Sequence, residues 1–244
     1  MRIEPDIWLS NILGRPSFNV SLADEPSSDA AIFREHVAQQ PGALYMARAA
    51  TRDLRAVHFL QDLGFRVIDV NITFRRSNAS LARLLIPQGI EVHQAQPSDH
   101  EHLLRIAETA FVMSRFHLDP KISEQVAAHI KRTWLENCLL GKRGDWVLVA
   151  RRDGKPVGFL AALLSTREDG QIAIIDLIAV DPNHQRCGVG DALVAAFVEH
   201  YRGRVVALEV GTQVANIGSA RLYEKWGFAL HRSQFVLHLH VDGA

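Results

Sequence analysis

The stretch from 145 to 210 restricts the fold more than any other part of the chain. Three apolar segments, "DWVLVAR" (145–151), "KPVGFLAALLS" (155–165) and "QIAIIDLIAV" (171–180), are separated by turns at Asp153-Gly154 and Asp169-Gly170. Asp-Gly pairs accept the positive φ angles of tight turns, so the segments read as hairpin-linked antiparallel strands. Then comes "VDPNHQRCGVGDALV" (180–194), where a strand end gives way to a helix. That helix repeats Val189, Leu193, Ala196 and Phe197 at helical spacing. "RVVALEV" (204–210) reads as another strand, "NIGSARLYEKWG" (216–227) as a helix and "FVLHLHV" (235–241) as a final strand. This order predicts an α/β protein with a mixed, mostly antiparallel sheet flanked by helices.

Upstream, "IEVHQAQ" (90–96) reads as a strand. "PSDHEHLLRIAETAF" (97–111) reads as a helix, with Ser98 and Glu101 at capping-box spacing. "ISEQVAAHIKRTWLENCLLG" (122–141) is amphipathic, with Ile122, Val126, Ile130, Trp134 and Cys138 four residues apart and Gly141 as the stop. Before these, a polar run ending in Pro87 and Gly89 (75–89) reads as a linker. The expected division is therefore a small N-terminal α/β domain over 1–85 and a larger one over 86–244. Within the first, "ALYMARA" (43–49) and "RVIDVNITF" (66–74) read as strands around a helix in 51–64, capped by Thr51. "FLQDLGFRVIDVNITF" (59–74) also lines up with "LYEKWGFALHRSQFVL" (222–237), a faint internal repeat.

The charges balance, with 27 Lys+Arg against 27 Asp+Glu, so no global field draws in nucleic acid or an acidic membrane. Any anion site must be local. No apolar run is long enough to span a membrane, and the first residues lack a signal-peptide core. Two distant cysteines, Cys138 and Cys187, fit a reducing compartment, and the cytoplasm is the expected location. Nothing indicates a metal.

The loop before Gly188 is the candidate for that local site. Glycines let backbone N–H groups approach a ligand, and the first N–H groups of a helix have no internal partner. With the helix dipole they attract phosphate. A Walker ending of Gly-Lys-Ser/Thr is absent, and hairpin-linked strands do not suit a Rossmann unit. A lone Gly-x-Gly also fits a plain strand-to-helix turn, so the neighbouring residues decide.

Val180, Pro182, Gln185, Gly188 and Gly190, together with Asn216, Ala220, Tyr223, Gly227 and Phe228, resemble the GNAT N-acetyltransferase superfamily over about residues 90–241. The resemblance implies the GNAT acyl-CoA fold, with acetyl-CoA as co-substrate. It implies a cofactor site made by Ile178, Ala179, Val180, Gln185, Arg186, Cys187, Gly188, Val189, Gly190 and Asn216. The loop N–H groups would hold the pyrophosphate, and the 178–180 strand end would pair with the pantetheine arm. Tyr223, seven residues after Asn216 and so on the same helix face, would protonate the departing thiolate. A backbone N–H at the end of the 171–180 strand would polarise the thioester carbonyl. Asp176, Glu209, His117 and His184 remain open as the base.

For the acceptor, "AFVMSRFHLDPKI" (110–122), Trp134 to Asn137 and Gly141 resemble bacterial acetyltransferases acting on dTDP-4-amino-4,6-dideoxygalactose. That resemblance implies Ser114, Arg115, Phe116, Asn137 and Gln213 as acceptor-binding residues. Arg115 suits a nucleotide diphosphate, Phe116 a base or deoxysugar face, and the two amides sugar hydroxyls. The alternatives are a GNAT enzyme acting on a peptide or small amine, and a non-catalytic acyl-CoA-binding module. The first domain lacks a Gly-x-Gly loop and carries Leu60 where the repeat places Tyr223. It reads as a degenerate GNAT half without catalysis, serving homodimerisation or closure of the acceptor pocket.

Overall fold

The structure, a computed structural model, describes residues 1–22, 29–77 and 88–243. Most of the expected linker lies outside the described residues. The strands, in chain order, are β1 (Arg2–Pro5), β2 (Ser17–Ser21), β3 (Leu44–Ala50), β4 (Arg66–Ser77) and β5 (Glu91–Gln94). They continue with β6 (Trp146–Arg152), β7 (Lys155–Arg167), β8 (Gly170–Val180), β9 (Ala207–Gln213) and β10 (Ala229–His240). All ten join one sheet in the order β1-β2-β3-β10-β4-β9-β8-β7-β6-β5. The helices are α1 (Ile7–Leu13), α2 (Asp29–Ala38), α3 (Leu54–Asp62), α4 (His100–Ala110), α5 (Glu124–Leu139), α6 (Val189–His200) and α7 (Ile217–Lys225).

The hairpin strands expected at 145–180 are β6, β7 and β8, antiparallel in that order. Asp153 (φ 50°) and Gly154 (φ 73°) both take the positive φ of a two-residue hairpin turn. β8 and β9 are parallel, joined through α6, and β2 and β3 are parallel, joined through α2. β3 leads through α3 to β4, and β9 leads through α7 to β10. β4 and β10 pair with each other, and each also pairs with the strand preceding the other's helix. The strand order around β10-β4 is therefore the same read from either side. This arrangement matches the sequence repeat that aligns 59–74 with 222–237.

Side-chain alternation divides the sheet into two packed faces. Ile72, Phe74 and Val210 pack with Leu193 and Phe197 of α6 and Tyr223 of α7. On the same face, Tyr45, Ala47 and Leu237 pack with Phe33 of α2 and Leu60 of α3. Across the sheet, Val147, Phe159 and Leu177 pack with Leu103 and Leu135 of α4 and α5. Leu44 and Met46 meet Leu9 of α1, Ile130 of α5 and Phe116. Among the described residues, no helix is long and apolar enough to cross a membrane. Both cysteines are free.

Several local expectations shift. Asp53, not Thr51, caps α3 by accepting from Ala56 N–H (3.0 Å), because the Thr51 hydroxyl is engaged by Ser233 Oγ (2.6 Å). Asp99 replaces Ser98 and Glu101 at the start of α4, accepting from Gln96 N–H (2.9 Å) and pairing with Arg151. β9 begins at Ala207 rather than 204, since Arg204 N–H turns back to Tyr201 O (3.0 Å). β10 begins at Ala229, six residues earlier than expected. Its polar first half pairs with the end of β4, a partner that hydropathy does not reveal.

Candidate active site

β8 and β9 pair from Ile172↔Ala207 to Ile175↔Val210 and no further, although both strands continue. On the other side, pairing with β7 passes from Ile175 to Leu177 and skips Asp176. Asp176 thus forms a β-bulge at the point where the two parallel strands part, and a bulge re-aims side chains and frees backbone groups. A cleft opens on each side of the wedge. The first is about 590 Å³ and the second about 300 Å³. Ser114 and Gln213 line both.

The first cleft is lined by Ile178, Ala179 and Val180 of β8, Gln185, Arg186, Gly188 and Gly190 of the loop and α6, and Asn216 and Tyr223 of α7. Arg186 (φ 58°) and Gly188 (φ 85°) both sit in the left-handed region. For arginine this costs about 1–2 kcal/mol, a strain that collects at functional loops. The first α6 bond runs from Ala192 N–H to Gly188 O (3.0 Å), so the N–H groups just before Ala192 lie in the unbonded first turn. Asp191, also in that turn, is drawn off by Lys225 Nζ (2.6 Å) and Trp226 Nε1 (2.9 Å). A Cβ on Gly190 would meet Leu222 Cδ2 at 3.1 Å, so the glycine lets α6 and α7 close up here. The set fits an anion followed by an extended chain along β8.

Asn216 caps α7, its Oδ1 accepting from Ser219 N–H (3.2 Å). Tyr223 is 2% exposed, with its ring between Phe74 (5.9 Å) and Phe228 (6.2 Å). Burial pushes its phenol well above the ordinary value, opposed in part by a hydrogen bond from Ser219. Tyr223 therefore keeps its proton at neutral pH.

The second cleft is cationic. Arg48, Arg115, Lys131, Arg143 and Arg232 line it, against Asp176 and Glu209. Asp176 is saturated: Arg143 donates Nε to Oδ2 and Nη2 to Oδ1 (both 2.7 Å), and Trp134 Nε1 donates to Oδ2 (2.8 Å). Lys131 Nζ lies 4.7 Å from the Phe111 ring centre and 4.8 Å from that of Trp134. Burial, reinforced by Arg115 and opposed by Asp176, pulls the Lys131 amine down to about 8.

The wall carrying Ser114 to Phe116 is anchored from behind. Asp119 Oδ2 accepts from His238 Nδ1 (2.6 Å) and His240 Nε2 (2.8 Å), and its Oδ1 from Lys121 N–H (2.9 Å). Burial would raise this carboxyl, but the three donors together hold it far below the usual range. Asp119, His238 and His240 are also a set of metal-ligand types brought together among the described residues. Arg15 Nη2, which can only donate, meets His240 Nδ1 at 3.0 Å, so Nε2 carries the hydrogen that points at Asp119. The arrangement is thus that of a hydrogen-bonded staple, with no lone pair of His240 turned inward for a cation.

The Acetyltransferase (GNAT) family profile matches residues 106–228, half of the chain, and covers the wedge, the loop and α7. The chain belongs to the GNAT acetyltransferase family. It is an N-acetyltransferase, and the co-substrate of the family is acetyl-CoA. The chain is 27% identical to the spore coat polysaccharide biosynthesis protein SpsD of Bacillus subtilis, over 97% of this chain and 82% of that one. An uncharacterized N-acetyltransferase of Methanocaldococcus jannaschii is 37% identical over 39% of this chain and 44% of its own length. The fold is shared with a tandem GNAT protein from the clavulanic acid biosynthesis pathway, with a TM-score of 0.63 at 12% identity, covering 95% of this chain and 77% of that one.

Within this GNAT fold the residues expected from the sequence are distributed unevenly. Of the expected cofactor residues, Cys187 is exposed and Val189 is buried in the α6 core, so neither side chain lines the first cleft. Ser114 and Gln213 stand where the clefts meet, and Arg115 and Phe116 line the second. Phe116 is 1% exposed and packs with α1 and α5 as well. Asn137 lines neither cleft; it stands in the last turn of α5, where its backbone carbonyl accepts from the N–H groups of Lys142 (2.9 Å) and Arg143 (3.1 Å).

Among the candidate bases, His184 lies on the loop beside Asp181, and His117 Nδ1 is taken by Ser114 Oγ (2.6 Å). Glu209 faces the second cleft, with Arg75 3.6 Å from one oxygen. Arg48, Lys131, Arg143 and Arg232 escaped the sequence reading. Two of them left a signal. Lys131 interrupts the apolar stripe of Ala127, Ile130, Trp134 and Leu135, and Arg48 follows Leu44 and Met46 on one strand face.

Proposed function

We propose that this chain moves the acetyl group of acetyl-CoA to the primary amine of a nucleotide-linked amino sugar, of the dTDP-4-amino-4,6-dideoxygalactose kind. The observation that carries the reading is the second cleft. Five cations face two carboxylates there, and one of those carboxylates is consumed by Arg143 and Trp134. A polyamine, an aminoglycoside or a basic peptide is repelled by such a wall, whereas a phosphate-bearing amine is drawn to it. The similarity to SpsD, named for polysaccharide biosynthesis, agrees with a sugar acceptor.

Acetyl-CoA supplies an acetyl thioester to the first cleft. The loop from Gln185 to Gly190 would hold its pyrophosphate, and the edge of β8 from Ile178 to Val180 would align its arm towards the wedge. A backbone N–H at that strand end would polarise the thioester carbonyl. Ser114 and Gln213 would position the amine where the clefts join, which makes the reaction effectively unimolecular. The amine must shed a proton as it becomes an amide. Glu209 is the candidate carboxylate left without a full set of donors, and it would receive that proton directly or through water. Tyr223 would give its proton to the departing sulfur. A phenol raised above its usual pKa of about 10 is a weaker acid than a thiol near 8.5. Tyr223 would therefore donate only as charge builds on the sulfur, and the phenoxide it leaves would be reprotonated through water by the proton that the amine sheds to Glu209, so that no net proton is gained or lost.

The test is thiol release from acetyl-CoA with a panel of amines: dTDP-4-amino-6-deoxysugars, UDP-amino sugars, an aminoglycoside, a polyamine and peptides. Turnover confined to the nucleotide amino sugars supports the proposal. Turnover with peptides or small amines alone keeps the acetyltransferase and discards this acceptor.

A further inference from the structure

The inner part of the second cleft holds more positive charge than one acceptor contact requires. Arg48 comes from β3, Arg115 from the wall before α5 and Arg232 from β10. Register places them together: Arg48 pairs with Val236, which pairs in turn with Asp69, and Arg232 lies on the Val236 face of β10. Each guanidinium feels the next. Burial lowers the pKa of Arg115, to about 10, and the charge of Arg48 adds to this. Burial likewise lowers that of Arg48, and Arg232 adds to it.

Local countercharge is incomplete. Asp69 attracts Arg48, but burial raises its own carboxyl, and its Oδ2 has no hydrogen-bond partner among the described residues. Asp6 attracts Arg115, but its oxygens serve Leu9 N–H (2.9 Å) and Asn19 Nδ2 (3.2 Å). Arg232 gives Nε to Thr73 Oγ1 (3.2 Å), which leaves its terminal nitrogens. Among the described residues, Arg48 and Arg115 make no hydrogen bond through their side chains. Both remain accessible from the cleft, so a ligand can reach them. Each guanidinium offers up to five N–H donors in a planar fork suited to phosphate oxygens.

We propose that Arg48, Arg115 and Arg232 form a diphosphate subsite for the acceptor, built jointly by the N-terminal and C-terminal halves of the chain. The inference rests on the nucleotide-sugar reading above and extends it. A single carboxylate would leave two of three guanidinium charges unmatched, whereas a diphosphate diester brings two charges and several acceptor oxygens. The subsite is separate from the cofactor loop, which lies in the other cleft. It gives the N-terminal half a part in acceptor recognition, through Arg48.

The experiment uses the full chain saturated with CoA, so that the loop of the first cleft is filled, and titrates inorganic pyrophosphate by calorimetry. The unaltered protein is expected to bind pyrophosphate. Arg48→Met and Arg232→Met should each weaken that binding about 10- to 100-fold, and Arg48→Lys by less. Melting temperature separates a binding role from a structural one. Removing one cation from a self-repelling cluster should leave the melting temperature of Arg48→Met unchanged or raised, whereas an arginine holding Asp69 for stability would lower it when lost. Absence of pyrophosphate binding in the CoA-loaded protein, or unaltered binding in both Met variants, overturns the subsite. Acceptor KM distinguishes this from failure of the broader reading. Nucleotide amino sugars that turn over with unchanged KM in both Met variants remove the subsite and keep the acceptor. Arg48-dependent pyrophosphate binding, without turnover of any nucleotide amino sugar, removes the acceptor and keeps the subsite.

Discussion

Replacing Tyr223 by phenylalanine separates chemistry from packing at the centre of the site. The ring stays in place between Phe74 and Phe228, so no apolar surface is lost. What disappears is one buried hydroxyl and its hydrogen bond with Ser219, worth about 1 kcal/mol. A domain with 5–15 kcal/mol of stability stays almost wholly folded after such a loss. General acid assistance typically contributes about 10²- to 10⁴-fold, or about 3–5 kcal/mol of barrier. Turnover of Tyr223→Phe should therefore fall at least about a hundredfold, while its melting temperature shifts by only a few degrees and acetyl-CoA affinity is kept. Single-turnover thiol release, calorimetric titration with acetyl-CoA and a thermal melt measure the three quantities. A variant that turns over within about threefold of the unaltered chain, well below that range, would show that the hydroxyl only packs, and the acid role would be withdrawn.

Gly188→Asp forces a side chain onto a φ of 85° and sets a carboxylate at the start of α6. Its acetyl-CoA dissociation constant should rise at least about tenfold, and an unchanged constant in a titration would remove the loop from cofactor binding. Lys131, with its amine brought down to about 8, is an ammonium below that pH and neutral above it. Acceptor KM should rise as pH passes from 7 to 9, and Lys131→Met should flatten the profile; a rise of equal size in that variant would exclude Lys131. The Asp119 carboxyl is depressed in the folded state, so its stabilisation is full above the ordinary aspartate value and is lost as pH falls below it. Asp119→Asn should lower the melting temperature at pH 7, by about 2–3 kcal/mol of stability. The gap to the unaltered chain should narrow towards pH 3, and a gap independent of pH would contradict the staple.

The donor half of the site is largely legible because its chemistry is local. A strand end, a glycine loop and a helix start are contiguous, and Asn216 and Tyr223 share one helix face, so spacing alone brings these groups together. The acceptor half is assembled from β3, β4, β8, β9, β10, α5 and the two loops that flank α5, and no spacing rule joins residues so far apart. Asn137 illustrates the limit: an amide residue on a helix near the right place lines neither cleft, and helical periodicity alone does not say which way it faces. Arg48 illustrates the opposite case, an arginine in a short strand that gains meaning only when β10 is laid beside β3. The exchange of β4 and β10 between the halves was equally hidden, since each strand's pattern is satisfied by any neighbour of suitable hydropathy.

The most direct test compares one amino sugar with and without its nucleotide diphosphate, using kcat/KM for acetyl transfer at fixed saturating acetyl-CoA. The cationic acceptor cleft predicts a preference of at least about a hundredfold for the nucleotide-linked form, the equivalent of one or two charge-assisted contacts. Equal kcat/KM for the two forms would contradict the account, because the charged wall of the second cleft would then make no difference to the acceptor.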